Sequence, residues 1–213
     1  MSPGPDLRPR FITLEGGEGT GKSSQARLLG DALMSQGLEV LRTREPGGAP
    51  AAEYLRDLLL GGTIAWSAMA ETLLHFAART EHVERAIRPS LEAGIWVVCD
   101  RFYDSTLAYQ GFGLGADRDR IVTLSGWMDV VPDLTLVLDA EPDVARARML
   151  SRPGAADRYE RLDHAFHARV RAGFLAIAAE NPDRCVMIDA NGPIDNVHAA
   201  IRRVLENRFQ IAP

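Results

Sequence analysis

The strongest constraint on the fold is a glycine-rich loop between an apolar run and a helical stretch. The run FITLE (11–15) is followed at once by GGEGTGKSS (16–24), and an amphipathic segment then extends to Gly37. Residues Gly16 to Ser23 match the pattern G-x-x-x-x-G-K-[ST], whose glycines let backbone N–H groups turn inward around an anion. The N-terminus of the following helix adds partial positive charge. The sequence therefore predicts a phosphate-binding loop between a strand and a helix.

Lys22 within this loop is the only lysine among the 24 lysines and arginines of the chain. A compact ammonium group fits inside a ring of backbone amides, whereas a planar guanidinium is too wide. Lys22 is therefore predicted to reach the β- and γ-phosphates of ATP, and the Ser23 hydroxyl to bind Mg²⁺. The other loop residues predicted to surround the ATP phosphates are Gly16, Gly17, Glu18, Gly19, Thr20, Gly21 and Ser24.

Short apolar runs alternate with long helical stretches along the rest of the chain. After FITLE, the runs are LEVLRTR (38–44), WVVCD (96–100), LTLVLDA (134–140) and CVMIDA (185–190). This alternation predicts an α/β fold with a five-stranded parallel sheet, buried on both faces between helices. We expect one domain over residues 1–213, with the polar stretch 151–163 as a mobile lid.

Composition and charge exclude several function classes. The net charge of −5 argues against a nucleic-acid partner, and no apolar run is long enough to span a membrane. The N-terminal residues lack the apolar core of a signal peptide, so we expect a cytoplasmic protein. Cys99 and Cys185 lie in strand-like runs and are predicted to be buried, reduced thiols. His164 and His167 are predicted to lie on a helix surface rather than to bind a metal.

A second anion site is predicted at the carboxyl ends of the strands, where ligands bind in such sheets. The candidate side chains are Arg42, Arg44, Glu45, Arg56, Asp100 and Arg101, with His75 and Arg79 four residues apart on one face of a helix. A GTPase would need a guanine-reading Asn-Lys-x-Asp, which requires a second lysine, and motor ATPases are usually larger. The favoured class is therefore a kinase that acts on a small substrate.

From about Phe11 to beyond Val197 the chain resembles bacterial thymidylate kinases. The resemblance rests on EGGEGTGKSSQ, TREPGG, FAARTEHVERAIRPSLEAG, CDRFYDSTLAYQGFG, PDLTLVLDAEPDVARAR and DRYE. It implies a P-loop kinase that transfers the γ-phosphoryl group of ATP to thymidine monophosphate (dTMP), giving dTDP. It also implies Mg²⁺ as cofactor and a homodimer packed through helices.

The resemblance implies a role for each acceptor-side residue. Glu18 approaches the sugar hydroxyl, Arg56 and Arg101 hold the acceptor phosphate, and Asp100 organises Mg²⁺. Around the nucleoside, Arg79 reads the thymine carbonyl and Tyr109 lies beneath the deoxyribose. Thr106 and Gln110 are polar groups near the base, and Glu45 of TREPGG is expected in the same acceptor site.

The chain departs from the family pattern in three places. One branch of the family has a catalytic arginine at the position of Gly19, so that charge is expected from Arg152 or Arg158, with Arg148 nearby. The family usually has phenylalanine at the position of His75, and we expect His75 to face the thymine while Phe76 packs toward the core. Leu114 stands in a loop where relatives often carry an arginine.

Two alternatives stay open. The first is another nucleoside or nucleotide kinase with the same layout. The second is an ATP-binding regulatory module that has lost the transfer reaction, although Lys22, Ser23, Asp100 and Arg101 are all present.

Overall fold

The computed structural model describes residues 8–62, 64–151 and 157–211. Its centre is a five-stranded parallel sheet in the order β2-β3-β1-β4-β5. The strands are β1 (Phe11–Glu15), β2 (Val40–Arg44), β3 (Trp96–Asp100), β4 (Leu134–Asp139) and β5 (Cys185–Asp189). The predicted sheet is confirmed, although β2 begins two residues later than predicted and β4 and β5 each end one residue earlier.

Helices connect the strands in the described ranges. They are α1 (Lys22–Ser35), α2 (Pro50–Leu60), α3 (Ala68–His82), α4 (Arg88–Glu92), α5 (Tyr103–Thr106), α6 (Arg118–Gly126), α7 (Pro142–Ser151), α8 (His164–Glu180) and α9 (Ile194–Phe209). A π-helical segment, Val83–Ile87, joins α3 to α4, and a second one, Leu107–Gly113, continues α5. In the described residues no helix combines the length and the apolar character that crossing a bilayer needs.

The sheet is covered on both faces because side chains alternate along each strand. On one face Ile12 packs with Leu29 of α1 and Ile201 of α9. On the other face Phe11 packs with Ile87. Each fully buried aliphatic or aromatic side chain of this kind contributes about 1.5–3 kcal/mol to folding.

The two edge strands differ from the prediction of strands buried on both faces. β1, β3 and β4 are buried almost throughout, whereas β2 has no fully buried residue and β5 alternates between buried and exposed positions. An edge strand has a neighbour on one side only, which leaves part of each of its faces in solvent. An apolar run in the sequence predicts that a strand forms, but it does not predict whether that strand lies at the centre or at the edge of the sheet.

The sequence predicted that Cys99 and Cys185 are buried and that His164 and His167 lie on a helix surface. The thiols of Cys99 and Cys185 are free and buried, which confirms the predicted burial. His164 is exposed at the first position of α8, and His167 is half-buried one turn later. Within residues 8–62, 64–151 and 157–211 no group of three or more His, Cys, Asp or Glu side chains could hold a metal ion.

The carboxyl ends of β1, β2 and β3 meet at one edge of the sheet. In the register of the sheet Asp100 lies beside both Leu14 of β1 and Arg44 of β2. Backbone bonds extend this alignment by one residue, because Arg101 N donates to Leu14 O and Glu45 N donates to Asp100 O, each at 2.9 Å. The sheet therefore brings the phosphate loop and the predicted acceptor residues together.

Candidate active site

A cavity of about 700 Å³ lies at this edge of the sheet. Most of the residues predicted for the site line it: Glu18, Gly19, Thr20, Gly21, Lys22, Ser23, Ser24, Glu45, Arg56, His75, Arg79, Asp100, Arg101, Thr106, Tyr109, Gln110 and Arg148. Gly16 and Gly17, the first two residues of the loop, do not line the cavity. Arg42 does not reach the cavity, because it pairs with Asp31 of α1 at 2.6 Å.

The phosphate loop encloses the lone lysine. Lys22 is 5% exposed, and its Nζ donates to Gly17 O at 2.6 Å. Burial, followed by the positive charge of Arg101, lowers the pKa of Lys22 to about 8. An anion bound in the loop would stabilise the charged ammonium and raise that pKa again. The charge of the buried ammonium is only partly balanced by nearby carboxylates, so the loop is suited to binding an anion.

Gly19 is the loop position at which a branch of the family has arginine. Its φ is +72°, and a Cβ added there would lie 2.2 Å from Ala145 O of α7. A side chain at this position is therefore excluded by backbone on two counts, the left-handed conformation and the contact with α7. The positive charge that the resemblance predicts is therefore not expected from position 19.

Ser23 and Asp100 form the candidate metal site. The Ser23 hydroxyl donates to Asp100 Oδ2 at 2.5 Å, and Asp100 Oδ1 is buried with no hydrogen-bond partner among the described residues. Mg²⁺ is usually held by one or two protein oxygens together with substrate phosphates and water. A hydroxyl and a carboxylate with an unused oxygen, both beside the phosphate loop, fit this ion.

Glu18, Arg101 and Tyr109 form a tight polar cluster beside the loop. Arg101 Nη2 and the Tyr109 hydroxyl both donate to Glu18 Oε1 at 2.7 Å. Burial alone would raise the pKa of Glu18, but Arg101 and then Lys22 lower it to about 2. The carboxylate therefore stays charged and fixes the arginine and the tyrosine that face the cavity.

Glu15, at the end of β1, holds the turn that presents Arg101. Arg101 has a φ of +73°, which is strained for a residue with a side chain. Fully buried Glu15 accepts hydrogen bonds from Phe102 N at 2.7 Å and from the Ser105 hydroxyl at 2.5 Å. Burial, followed by repulsion from Asp104, raises the pKa of Glu15 to about 8.

Arg56 of α2 lines the cavity on the side of the Glu45–Pro46 turn. Its Nη1 donates to Pro46 O at 2.7 Å, and no other bond from its guanidinium is formed among the described residues. Burial, followed by the charge of Arg44, lowers the pKa of Arg56. Arg56 is therefore a partly desolvated cation with unused donors, which suits it to binding an anion.

Arg79 of α3 is held firmly at the far end of the cavity. Its Nε donates to Glu45 Oε2 at 2.7 Å, and its Nη2 donates to Phe102 O and Thr106 Oγ1, each at 3.1 Å. Its Nη1 is buried and has no partner in the described part of the chain. The Nη1 group of this fixed guanidinium can therefore donate to a ligand.

Gln110 is oriented by two side chains that are distant in sequence. Its Nε2 donates to Glu71 Oε1 at 2.9 Å and to the Tyr159 hydroxyl at 3.0 Å. Its Oε1 is buried without a partner among the described residues. Because a carboxylate only accepts hydrogen bonds, Glu71 fixes the orientation of the amide and leaves Oε1 as an unused acceptor.

Tyr159, from the predicted lid segment, completes this end of the wall. Its hydroxyl donates to Glu71 Oε1 at 2.7 Å and lies 2.9 Å from His75 Nε2. Burial, followed by the charge of Arg79, lowers the pKa of His75 to about 3, so the imidazole is neutral. The hydroxyl already donates to Glu71, so His75 Nε2 carries the proton of the shared bond.

The helical register at His75 and Phe76 agrees with the prediction. His75 and Arg79 both line the cavity, whereas Phe76 packs with Ile121 and Met128 in the core. A direct contact between His75 and a thymine stays a prediction. The loop residue Leu114 packs against the cluster that contains Tyr109.

Arg148, Arg152 and Arg158 were predicted to supply positive charge in or near the lid, and their surroundings differ. Arg158 forms an ion pair with Glu71, a residue that is fully buried. Arg148 of α7 lines the cavity, but its guanidinium donates to the backbone carbonyls of Ala190, Asn191 and Gly192. Arg152 lies outside the described residues.

Three residues of the hydrogen-bond network around the cavity were missed by sequence reasoning: Glu71, Tyr159 and His82, whose Nδ1 lies 3.0 Å from Glu45 Oε1. Glu71 and His82 lie on α3 near the predicted His75–Arg79 face, so helical spacing could have included them. Tyr159 gives no local signal, because the DRYE motif suggests only its arginine. Tyr109 and Gln110 were predicted, but both face the cavity because the Leu107–Gly113 segment is π-helical, a geometry common at functional sites.

A phosphate loop, an adjacent hydroxyl–carboxylate pair and a cavity that continues to fixed polar side chains define a P-loop kinase of the small-substrate class. Comparison with known proteins narrows this class. A family model described as thymidylate kinase matches residues 14–201. The chain belongs to the thymidylate kinase family.

Individual relatives agree over nearly the full length. The chain is similar to a thymidylate kinase of Gluconobacter oxydans, with 50% identity over 94% of this chain and 96% of the relative. It is 51% identical to one of Caulobacter vibrioides, over 93% and 97% of the two chains. A crystal structure of thymidylate kinase from Ehrlichia chaffeensis is similar with a TM-score of 0.77 and 36% identity, covering 92% of this chain and 98% of that one.

Proposed function

We propose that this protein transfers the γ-phosphoryl group of ATP to dTMP, giving dTDP and ADP. Membership of the thymidylate kinase family supports the reaction. The observation that carries the choice of acceptor is the pair of unused polar atoms at the base end, Arg79 Nη1 and Gln110 Oε1.

This pair complements one edge of thymine. Thymine presents an N3–H donor beside a carbonyl acceptor, whereas cytosine presents an N3 acceptor beside an amino group. Gln110 Oε1 would accept from N3–H, and Arg79 Nη1 would donate to the carbonyl. Against cytosine both contacts would become unfavourable, since each would leave buried groups of like character face to face.

The acceptor sugar and phosphate would bind between the base end and the phosphate loop. Arg56 and Arg101 would hold the acceptor phosphate, and Arg101 would exchange one of its present bonds to Glu18, Tyr109, Ser105 or Gly16 for it. Tyr109 connects the two ends of the cavity, because its hydroxyl bonds to Glu18 and its ring packs against Tyr159. At this point the Glu18 carboxylate would bind a sugar hydroxyl, and the tyrosine would leave no room for a 2′-hydroxyl.

The donor phosphates would bind in the 16–24 loop, with the ammonium of Lys22 on the β- and γ-phosphates. Mg²⁺ would be held by Ser23 and Asp100 and would neutralise the phosphate charge during transfer. Among the residues that the structure describes, Arg158 is the candidate for a further cation at the phosphates. To reach them, it would have to break its ion pair with Glu71. Arg148 would contribute at the rim.

The test is turnover with four acceptors in one coupled assay for ADP. We expect kcat/KM for dTMP to exceed that for dUMP modestly, and to exceed that for dCMP by at least about 100-fold, as expected when buried polar groups lose their partners. Guanine also presents an N–H beside a carbonyl, so the poor turnover that we expect with GMP would come from the larger purine and its 2′-hydroxyl. Preference for dCMP or GMP would favour another nucleotide kinase. The absence of acceptor-dependent ADP release with all four would favour a non-catalytic ATP-binding module.

The expected homodimer is supported by exposed apolar side chains on adjoining helices. Tyr54 on α2 is 80% exposed, Leu73 on α3 is 50% exposed and Val122 on α6 is 57% exposed. α3 contacts both other helices. Sedimentation analysis of the wild type and of Leu73→Asp tests this part: we expect a dimer that the charged variant weakens.

A cytoplasmic location is also part of the proposal. The free thiols of Cys99 and Cys185 are compatible with a reducing compartment. Cell fractionation with an antibody against the chain would test it, and recovery outside the cytoplasmic fraction would contradict it.

A further inference from the structure

His82, the last residue of α3, lies beneath the base end of the cavity and has no role in the proposed function. It is fully buried, and both of its ring nitrogens are engaged. Nδ1 lies 3.0 Å from Glu45 Oε1, and Nε2 lies 2.7 Å from Thr43 Oγ1. The ring therefore links β2 to the turn that follows it.

The proton positions in this chain of bonds follow from the groups involved. A carboxylate accepts hydrogen bonds, so His82 Nδ1 carries a proton and donates to Glu45. Nε2 bonds to the Thr43 hydroxyl, a group that can donate or accept. The ring therefore joins Thr43 to Glu45 through both of its nitrogens.

Glu45 connects His82 to the base end. Its Oε2 accepts from Arg79 Nε at 2.7 Å, while its Oε1 is used by His82. With both oxygens bonded to protein, the carboxylate has a single orientation, and Arg79 is held with its Nη1 unused. Glu45 lines the cavity, but both of its carboxylate oxygens bond to protein, to Arg79 and to His82.

The backbone around His82 is packed for this arrangement. Gly48, in the Pro-Gly-Gly turn, has a φ of +83°, and a Cβ added there would lie 2.3 Å from His82 Nε2 and 2.5 Å from Thr43 Oγ1. Glycine at this position lets the turn close over the imidazole, so no other residue type leaves the Thr43–His82 bond in place.

We propose that His82 is a positioning residue for recognition of the acceptor base, acting through Glu45 to fix the guanidinium of Arg79. Preorganised binding groups raise affinity and specificity because less order is lost when the ligand binds. Without His82, Glu45 Oε1 loses its donor and the carboxylate can rotate away from Arg79. The base would then be bound less tightly and discriminated less well, while the phosphate loop would be unaffected. This inference rests on the proposed function.

The experiment compares His82→Leu, which removes both ring bonds, with His82→Asn, which keeps an N–H near the position of Nδ1. For His82→Leu we expect KM for dTMP to rise about 10-fold and the preference for dTMP over dCMP to fall, with KM for ATP within about twofold of wild type. For His82→Asn we expect KM for dTMP to return to within about threefold of wild type. His198→Leu, a half-buried histidine on α9, is the matched control and is expected to behave as wild type.

Thr43→Val keeps the test usable if His82→Leu does not fold, because it removes only the hydroxyl that orients the ring. We expect a rise in KM for dTMP of about threefold for this variant. Equal changes in the two KM values, or an unchanged preference over dCMP in a folded His82→Leu protein, would overturn the positioning role. Failure of the wild type to phosphorylate dTMP would instead overturn the proposed function.

Discussion

The phosphate end of the cavity comes from one continuous loop, residues 16–24, whereas the base end is assembled from four separate parts of the chain. Glu45 follows β2, Arg79 belongs to α3, Gln110 to the π-helical segment and Tyr159 to the loop before α8. The first end depends on backbone conformation that neighbouring residues determine. The second depends on hydrogen bonds between side chains up to 88 positions apart, as for Tyr159 and Glu71. Substitutions should therefore affect the two ends in different kinetic parameters.

The largest effect is expected from Lys22→Arg at the phosphate end. The guanidinium is too wide for the loop that encloses the ammonium, so kcat should fall about 10³-fold although the charge is kept. The measurement is kcat in the coupled assay, with Arg27→Lys on the exposed face of α1 as the control for exchanging the two cations. Activity of Lys22→Arg within tenfold of wild type would contradict the predicted role of the loop.

The next effect is expected from Arg79→Lys at the base end. Lysine keeps the charge beside Glu45 but lacks the planar fork that reaches Glu45, Phe102 and a ligand together. KM for dTMP should rise about 50-fold with KM for ATP unchanged, because the bonds lost are charge-assisted. Thermal unfolding checks that the variant is folded. A parallel rise in both KM values would show that the two ends are not independent.

A smaller effect is expected from Tyr159→Phe, which removes one hydroxyl from the base end. Gln110 and His75 lose a partner, so KM for dTMP should rise about fivefold. The rise should be smaller in a His75→Phe background, since the His75–Tyr159 bond is already absent there. Tyr103→Phe, at a half-buried tyrosine that does not line the cavity, is the control. Additive effects of the two substitutions would argue against a functional bond between His75 and Tyr159.

The smallest effect on the two ends of the cavity is expected from Glu15→Gln. This substitution should change the pH dependence of the free energy of unfolding. Burial raises the folded-state pKa of Glu15 to about 8 from its ordinary value of 4.5, so the folded protein binds the proton more tightly than the unfolded chain. The stabilisation is complete below about pH 4.5 and is lost as the pH rises through 8. Between pH 5 and 9 the free energy of unfolding should therefore fall more for the wild type than for Glu15→Gln.

Urea unfolding at pH 5, 7 and 9 measures the effect of Glu15→Gln. Glu92→Gln, at an exposed position of α4, should follow the wild-type curve. Identical pH dependence of the wild type and Glu15→Gln would contradict the raised pKa.

The sequence determined the phosphate loop, the five strands and the family, because each of these is written in consecutive residues or in a regular period. The motif 16–23 fixes a local backbone path, and the apolar runs fix strands whatever lies beside them. It also placed His75 and Arg79 on one face of a helix.

Only the tertiary structure decided which polar atoms are left for a ligand. The unused acceptor of Gln110 exists because Glu71 and Tyr159 take its amide, and the unused donor of Arg79 exists because Glu45, held by His82, takes its Nε. Hydrogen bonds are short and directional, so they depend on distances between residues that are far apart in sequence. No local pattern records those distances, and they appear only when the sheet has brought its strand ends together.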